Sequence, residues 1–403
     1  MTGPLSGFKI VELAIWVAGP STTAVLGDWG ADVIKLEDPR GGDPMRGMTV
    51  QPLDFPDLKM RPPFELDNRN KRSLAINLQH PDGRDVAHRL LQQADVFVTN
   101  LRLDALERLG LDYTTLSALN SRLVYATLNG YGHTGPERLR GAFDYAAGWA
   151  RTGLMATIAE PGQNPPGQRP GMIDHAAGLA LAGAISAALL AREKTGQGQE
   201  VRLSLFEMGL WMNAIDLTIG LLAGTPPRPE RREDRANPLW NCYRCADDKW
   251  IYLVMIQSDR HWRDFCSALE HPEWLNDPKF SDSVARSKSR HELTAMIEAA
   301  IATRKRADWA AVFDKFELFW APVQENSEVL EDPQALALDS FARLEHQTFK
   351  NFRVVRSPVR FAAKEVGPRT PAPELGQHTE EVVQELGLDW SEIAQLKESG
   401  ALG

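Results

Sequence analysis

A single carboxylate stands at the start of a long apolar segment of this 403-residue chain. Asp174 is the only formally charged residue between Arg169 and Arg192, and the residues after His175 are mainly Ala, Gly, Leu and Ile. A carboxylate beside apolar surroundings is costly unless a helix end or a ligand stabilises it. The segment alone favours a helix N-cap, a common role of aspartate, over a chemical role for Asp174. The sequence is equally consistent with two roles for His175, a packed neighbour of Asp174 or a base.

Basic residues and tryptophans are the next candidates for binding a ligand. Five cations lie in or near predicted turns of the first half: Arg40, Arg46, Lys71, Arg72 and Arg108. Each alone is most often a solvated surface charge, but together on one edge of a sheet they could hold the phosphates of a nucleotide-like ligand. Four tryptophans are typical of a core, although some could line an apolar acyl pocket: Trp16, Trp149, Trp211 and Trp240.

Other kinds of chemistry are weakly supported. Cys242-x-x-Cys245, with His261 and Cys266 downstream, superficially resembles a zinc site. In an extended segment, however, residues three apart point to opposite faces. The run Gly41–Pro44 lacks the Gly-Lys-Ser/Thr ending of a Walker loop, and no Gly-x-Gly-x-x-Gly or Gly-x-Ser-x-Gly motif supports a dehydrogenase or a serine hydrolase.

Composition limits the class of protein. The net charge of −9 argues against non-specific nucleic-acid binding, and 43% hydrophobic with 25% charged residues is ordinary for a globular protein. Three cysteines and an N-terminus without a secretory pattern predict a cytoplasmic protein. The uncharged stretch from His175 to Ala191 is 17 residues, short for a membrane span, and predicts a buried helix.

Short β-branched runs alternate with helical patterns in the first half, which predicts an α/β fold with a Rossmann-like parallel sheet. The predicted strands are Phe8–Leu13, Asp32–Leu36, Ser73–Asn77, Asp95–Thr99, Leu123–Leu128 and Glu200–Leu205. Predicted helices include Pro20–Trp29, His80–Gln93, Asp174–Arg192 and Phe206–Gly224. A Pro-rich, charged segment from Thr225 to Arg235 then indicates a linker to a smaller α+β domain, which begins with a hairpin over Trp240–Val254.

A chain-long series of motifs resembles the family III CoA-transferases, which include formyl-CoA and carnitine CoA-transferases. The motifs, in order, are Val11–Leu13, Val17–Pro20, Leu26–Glu37, Gly41–Arg46, Asn70–Ser73, Thr99–Leu101, Gly130–Gly132, Thr195–Gln199 and Leu375–Glu380. Each motif is weak alone, but this order over the whole chain is specific. The resemblance implies a large domain of residues 1–224, a small domain with its linkers over 225–334, and a segment 335–403 that returns to the large domain. It also implies homodimers of two interlocked ring-shaped subunits.

The resemblance implies a covalent mechanism at Asp174, which occupies the position of the family's nucleophile before the Thr-Gly-x-Gly-Gln turn. The carboxylate attacks an acyl-CoA, and CoA passes through an aspartyl anhydride and an aspartyl-CoA thioester to a carboxylic acid acceptor. A helix N-terminus would keep Asp174 ionised and offer backbone donors to developing oxyanions. No metal or redox cofactor is needed, since CoA is itself a substrate.

By position, the resemblance also assigns the residues that bind CoA and the acids. The CoA site would contain Arg40 or Arg46, Lys71, Arg72, the backbone of Ile76, Asn100, Leu101 and Arg108, with Tyr131 near the thioester. The acid pocket would contain Trp16, Val17 and Asn129. Formyl-CoA transferases carry glutamine and lysine at the last two positions, and their four-glycine run has no clear counterpart. Formate and oxalate are therefore not the expected substrates. Trp16, Val17 and the helix that contains Trp211 and Met212 favour an apolar or aryl acceptor acid.

Two other functions remain open at this point. An α-methylacyl-CoA racemase shares the fold, but it uses a histidine where this chain has Phe143 and a glutamate where it has Gln257. Without an acid and a base on both faces of the α-carbon, proton exchange lacks its machinery. A non-catalytic CoA-binding subunit of a heteromer is the third alternative, and the presence of Asp174 argues against it. Neither nucleic-acid nor membrane partners are expected.

Overall fold

A parallel β-sheet organises the first of two units in this computed structural model, which describes residues 3–48 and 61–403. Within the described residues, the strands are β1 Lys9–Leu13, β2 Asp32–Glu37, β3 Lys71–Ala75, β4 Val96–Thr99, β5 Val124–Asn129 and β6 Glu200–Ser204. Their order is β3-β2-β1-β4-β5-β6, and every neighbouring pair is parallel. Most strand residues are buried, as in sheets covered by helices on both faces. The predicted α/β fold with a parallel sheet is confirmed.

The division of the chain is discontinuous. The first unit comprises the described residues of Met1–Met155 with Gly167–Pro226 and Asp339–Gly403, and the second comprises Ala156–Pro166 and Pro227–Leu338. The assignment of residues 156–166 to the large domain was wrong, because this segment clusters with the second unit. Local sequence patterns do not indicate that this segment belongs to the second unit.

Helices connect the strands and cover the sheet. From Ala18 to Ala223 they are α1 Ala18–Asp28, α2 Pro62–Asn68, α3 Pro81–Gln92, α4 Leu103–Leu109, α5 Tyr113–Leu119, α6 Leu154–Ile158, α7 Met172–Thr195, α8 Leu205–Met212 and α9 Ala214–Ala223. A π-helical turn over Tyr145–Ala150 follows the β5 loop. The sheet is thus built from β-α-β units, whose strand ends bring distant loops together at one edge.

Helix α7 is the central helix of the first unit. Its length and composition are sufficient to span a membrane, but Ala177, Leu181 and Ile185 are fully buried in the same core as β1 and β5. It packs closely on α1, where a Cβ on Gly178 would lie 2.2 Å from Ser21 Oγ. Its burial in this core is the arrangement expected of an internal helix.

Helices α8 and α9 replace the single helix predicted over Phe206–Gly224. They are bent by 71° at Asn213, so that prediction was wrong. The Asn213 side chain is buried and its Nδ2 donates to the carbonyl of Thr152 at 3.1 Å. This tertiary bond anchors the break between the two apolar helices.

The remaining elements form the second unit and the C-terminal segment. The second unit contains α10 Ser258–Ala268, α11 Ser283–Lys288, α12 Arg290–Ile301, α13 Arg306–Lys315, α14 Asn326–Val329 and α15 Pro333–Ala337, with the antiparallel strands β7 Cys242–Arg244, β8 Trp250–Leu253 and β9 Trp320–Val323. The C-terminal segment contains β10 Phe341–Arg343, β11 Arg353–Val355, α16 Thr379–Glu385 and α17 Trp390–Glu398. It lies in the first unit, where Gly403 N donates to Ala75 O at the end of β3.

Candidate active site

Asp174 lies in the first turn of α7, as its third residue. The N-cap position is held by Gly171, whose φ of +74° is a left-handed conformation that glycine adopts without strain. The N-cap interpretation of Asp174 was therefore wrong. Asp174 is thus a residue of the first helical turn and not its cap.

A cleft of about 680 Å³ contains Asp174 and many of the predicted site residues. It lies where the chain leaves the carboxyl ends of β1, β4 and β5, the usual place for ligands in parallel sheets. The predicted residues that line it are Trp16, Val17, Asn100, Leu101, Arg108, Asn129 and Asp174. Residues from four separate parts of the chain therefore meet in one cavity.

Asn129 lines this cleft and has a side-chain donor that is unpaired among the described residues. It is the last residue of β5, and its Oδ1 accepts a hydrogen bond from Gly132 N at 2.6 Å in the Gly-Tyr-Gly loop. Its Nδ2 is buried and has no hydrogen-bond partner in the described part of the chain. A buried amide N–H₂ without a partner is costly, and a ligand oxygen in the cleft would satisfy it.

Three arginines that the sequence interpretation missed line the same cleft: Arg102, Arg138 and Arg140. Arg140 pairs with Glu137 and Arg108 with Asp104, whereas Arg102 and Arg138 form no ion pair with the described residues. Unpaired guanidinium groups suit phosphate oxygens. Arg102 directly follows the Thr99–Leu101 motif at the end of β4, so its position after a strand was an available signal.

The other predicted cations do not line this cleft. Lys71 Nζ is fully buried, 2.7 Å from Glu12, and also donates to Pro20 O and Asn68 Oδ1. Arg46 pairs with Glu37 at 2.6 Å under nearly complete burial. Both are held by internal partners, so neither cation is free to meet a phosphate in this conformation.

The idea that the five cations share one sheet edge was also wrong. Arg72 is the second residue of β3, paired in register with Ile34, and its guanidinium binds Asp32, Glu381 and Glu385. It therefore lies toward the amino end of the strands. Arg40 follows β2 at the opposite end and is 81% exposed, paired only with neighbouring Asp38 among the described residues.

Two further predicted residues lie beside the cleft. Ile76 lines a smaller cavity of about 170 Å³ with Leu13, Leu78 and Leu109. This cavity shares Ile15 and Leu101 with the larger cleft. Tyr131 lies outside the cleft lining, with the guanidinium groups of Arg140 and Arg151 at 5.7 and 5.0 Å from its ring centroid.

The electrostatic state of Asp174 differs from the expectation that the helix end keeps it ionised. Burial, followed by the negative charge of Asp144, raises the pKa of Asp174 to about 7, while His175 opposes this. Asp144 is itself 2% exposed, and its Oδ2 finds no partner among the described residues. Desolvation and a like charge thus outweigh the helix dipole, which contributes up to about 2 kcal/mol in favourable geometries.

This raised pKa predicts that the charge of Asp174 destabilises the fold. The carboxyl binds its proton more tightly in the folded chain, so stability is lost as the pH rises from about 4 to about 7. We expect Asp174→Asn to increase the free energy of unfolding by about 2–4 kcal/mol at pH 8 and roughly half as much at pH 5.5. Urea unfolding at both pH values measures this, and a variant less stable than wild type at pH 8 would contradict it.

The cysteines have an ordinary structural environment. Burial raises the pKa of Cys245 to about 11 and that of Cys266 to about 12, so both remain protonated thiols. Both pack in the apolar core of the second unit. No group of three metal-ligating side chains is found within residues 3–48 and 61–403.

Comparison with known proteins identifies the family of this site. The family model described as CoA-transferase family III matches residues 5–379. The chain belongs to CoA-transferase family III. It is 34% identical to the (R)-2-hydroxy-4-methylpentanoate CoA-transferase of Clostridioides difficile over 98% of both chains. It is 32% identical to the cinnamoyl-CoA:phenyllactate CoA-transferase of Clostridium sporogenes, over 98% of this chain and 96% of that one.

A solved structure has the same fold over almost the whole chain. A CAIB/BAIF family protein from Brucella suis superposes with a TM-score of 0.83 at 29% identity, covering 96% of this chain and 100% of that one. The identity of 32–34% to CoA-transferases over nearly complete chains shows an enzyme of the CoA-transferase type. The resemblance drawn from the motifs is confirmed.

Proposed function

We propose that this family III CoA-transferase moves CoA between carboxylic acids through covalent adducts of Asp174. One observation supports the proposal above all. Among the described residues, Asp174, a half-buried carboxylate with a raised pKa, lines the same cleft as Asn129, whose amide nitrogen is unpaired, and two arginines without ion pairs. A carboxylate whose pKa is about 7 is partly ionised at neutral pH and is a better nucleophile than an ordinary aspartate.

The transfer takes four steps that need no external proton. A carboxylate oxygen of Asp174 attacks the thioester carbonyl, the C–S bond breaks, and CoA leaves as thiolate from the resulting anhydride. The thiolate then attacks Cγ of Asp174 and expels the first acid as its carboxylate. The acceptor carboxylate attacks the aspartyl thioester, and the released thiolate attacks the acceptor carbonyl, which regenerates Asp174. Covalent relay conserves the thioester bond energy and keeps water out of the exchange.

Two adjoining cavities support a place for CoA. The apolar cavity around Ile76 suits the adenine ring, while the arginines of the larger cleft suit the phosphates. Ile15 and Leu101 line both cavities, so the two cavities are neighbours. In this proposal one extended CoA molecule occupies both, with its sulfur at Asp174. Lys71, Arg46 and Arg72, which have internal partners, are not part of this proposed site.

The acid side of the cleft favours an apolar or aryl acid. Trp16 and Phe143 stack edge to face with ring centroids 5.3 Å apart, and Val17 and Leu205 line the same cleft. Two relatives are named for acids with branched aliphatic or phenyl groups. An acid of that class would cover these side chains and exclude water from Asp174.

A panel of acids tests this substrate class. With one acyl-CoA donor, we expect kcat/KM for 2-hydroxy-4-methylpentanoate, phenyllactate or cinnamate to exceed that for formate or oxalate by about 30- to 150-fold. The reason is that burial of one isobutyl or phenyl group contributes roughly 2–3 kcal/mol. Faster transfer to formate or oxalate would contradict the apolar pocket.

The racemase alternative lacks a catalytic group at the expected position. Phe143 contributes no acid or base where a racemase would need a histidine, and its side chain is 55% exposed at the cleft. Incubation of an α-methylacyl-CoA in deuterated water separates the two reactions, since only a racemase exchanges the α-hydrogen without an acceptor acid. A cytoplasmic location stays a prediction.

We also propose a homodimer, in which a second copy covers α8 and α9. Trp211, Ile215, Leu221 and Leu222 are between 76% and 86% exposed on these helices, an unusually apolar surface. Sedimentation should give twice the 44.8 kDa chain mass, and Leu221→Glu with Leu222→Glu should shift the protein toward monomer. Wild type sedimenting as a monomer at micromolar concentration would contradict the homodimer. Interlocking of the two chains remains a prediction.

A further inference from the structure

Acidic groups and one imidazole surround the start of α7. Asp144 precedes the π-helical turn, and its buried Oδ2 has no partner among the described residues. Asp67 in α2 is 3% exposed and accepts a hydrogen bond from His175 Nε2 at 3.0 Å. His175 follows Asp174 in α7, so an imidazole bound to a carboxylate is next to Asp174 in the chain, and the charge of Asp144 also acts on Asp174.

Close packing holds these groups in place. A Cβ on Gly148 would lie 2.6 Å from Ile173 Cγ2, so the π-helical turn that begins after Asp144 rests directly on the first turn of α7. The His175 ring lies against the helix start, because a Cβ on Gly171 would lie 3.3 Å from its Cε1. The turn that follows Asp144 is therefore fixed against Ile173, the residue before Asp174.

We propose that Asp144 and the Asp67–His175 pair act on Asp174 in opposite directions and so set how readily it attacks a thioester. The inference rests on the proposed role of Asp174 as nucleophile. Asp67 is a positioning residue, since it acts by orienting and charging His175. His175 acts through its field on Asp174.

The effect of each neighbour has a definite sign. Burial alone would lower the pKa of His175, but its hydrogen bond to Asp67 and the charge of Asp67 raise it, which favours the imidazolium. An imidazolium favours the Asp174 carboxylate, whereas Asp144 disfavours it. Acylation of Asp174 removes its negative charge and relieves the repulsion from Asp144, so Asp144 also favours formation of the covalent adduct.

Other charged groups near the helix start are few in the described part of the chain. Asp67 itself raises the pKa of Asp174 weakly, as the last of the four influences. The charges of Asp144, Asp174 and Arg169 act on Tyr145. The charge of Arg69 disfavours protonation of His175. The arginines of the cleft line the same cavity as Asp174 but do not contribute to its raised pKa.

The test compares pH profiles of kcat/KM for acyl-CoA, which report titration in the free enzyme. Wild type, Asp144→Asn, His175→Gln and Asp67→Asn are measured with the same donor and acid. We expect the acid limb to move to lower pH by about one pH unit in Asp144→Asn, and to higher pH by up to about one pH unit in the other two variants. His175→Gln is the safest for folding, because this side chain is 43% exposed.

Asp174→Asn separates this inference from the proposed function. If that variant is inactive and the profiles move in opposite directions, the inference is supported. If it is inactive but the profiles coincide, or all move in one direction, the opposing-charge inference is wrong while the nucleophile stands. If Asp174→Asn remains active, the nucleophile assignment fails and the inference fails with it. Structural damage alone would lower the rates without moving the profiles.

Discussion

Asp174→Asn is expected to reduce CoA transfer by at least about 10⁴-fold, because it removes the group proposed to form the covalent adducts. The amide keeps the shape of the side chain and relieves the repulsion from Asp144, so the fold should be retained. Affinity for CoA should change little, since the cleft arginines remain. Steady-state kinetics and calorimetric titration with CoA measure the two effects separately.

A second substitution guards against chemical reversal of this variant. Slow deamidation of the introduced asparagine would restore aspartate, whereas Asp174→Ala cannot revert. Both variants should be equally inactive in freshly prepared protein. Turnover within tenfold of wild type in the alanine variant would show that another group carries the acyl chain.

Asn129→Ala should lower kcat by about 10²–10³-fold, the typical cost of losing one donor to a developing oxyanion. Asn129 lines the cleft with Asp174, and its Nδ2 has no hydrogen-bond partner among the described residues. The interaction strengthens as negative charge develops, so kcat should fall more than affinity for acyl-CoA. Pre-steady-state release of CoA measures the step concerned.

Asn129→Asp separates the donor from the structural bond. Aspartate still provides an acceptor for Gly132 N but no longer offers a donor to the cleft. If Asn129 acts only by holding the Gly-Tyr-Gly loop, the aspartate variant should be close to wild type. We expect it instead to be at least as impaired as Asn129→Ala, since it also adds a negative charge beside Asp174.

The sequence predicts the sheet well, because hydrophobic alternation and turn residues are local signals. Strand β3 is the exception: it spans Lys71–Ala75 rather than Ser73–Asn77. The charged start Lys71-Arg72 argues locally against a buried strand. Lys71 is nevertheless buried, since Glu12 on β1 neutralises it at 2.7 Å, and such a distant partner in the chain has no local signature.

The candidate site was predicted less completely, for a similar reason. Motif order located Asp174, Asn129 and Asn100, because each lies at a strand or helix end. The raised pKa of Asp174 could not be predicted, since it depends on burial and on Asp144, which lies well before it in the chain. Which arginines face the cleft likewise depends on the path of the loop from Glu137 to Gly141, which no periodic pattern encodes.

Direct capture of the covalent adduct is the most decisive experiment. The enzyme is incubated with acyl-CoA without acceptor acid, quenched in acid, digested and analysed by mass spectrometry, with Asp174→Ala in parallel. We predict a CoA thioester on the peptide containing Asp174, converted by hydroxylamine to the aspartyl hydroxamate and absent from the variant. An adduct on a different residue, or none while the enzyme transfers CoA, would contradict catalysis through Asp174.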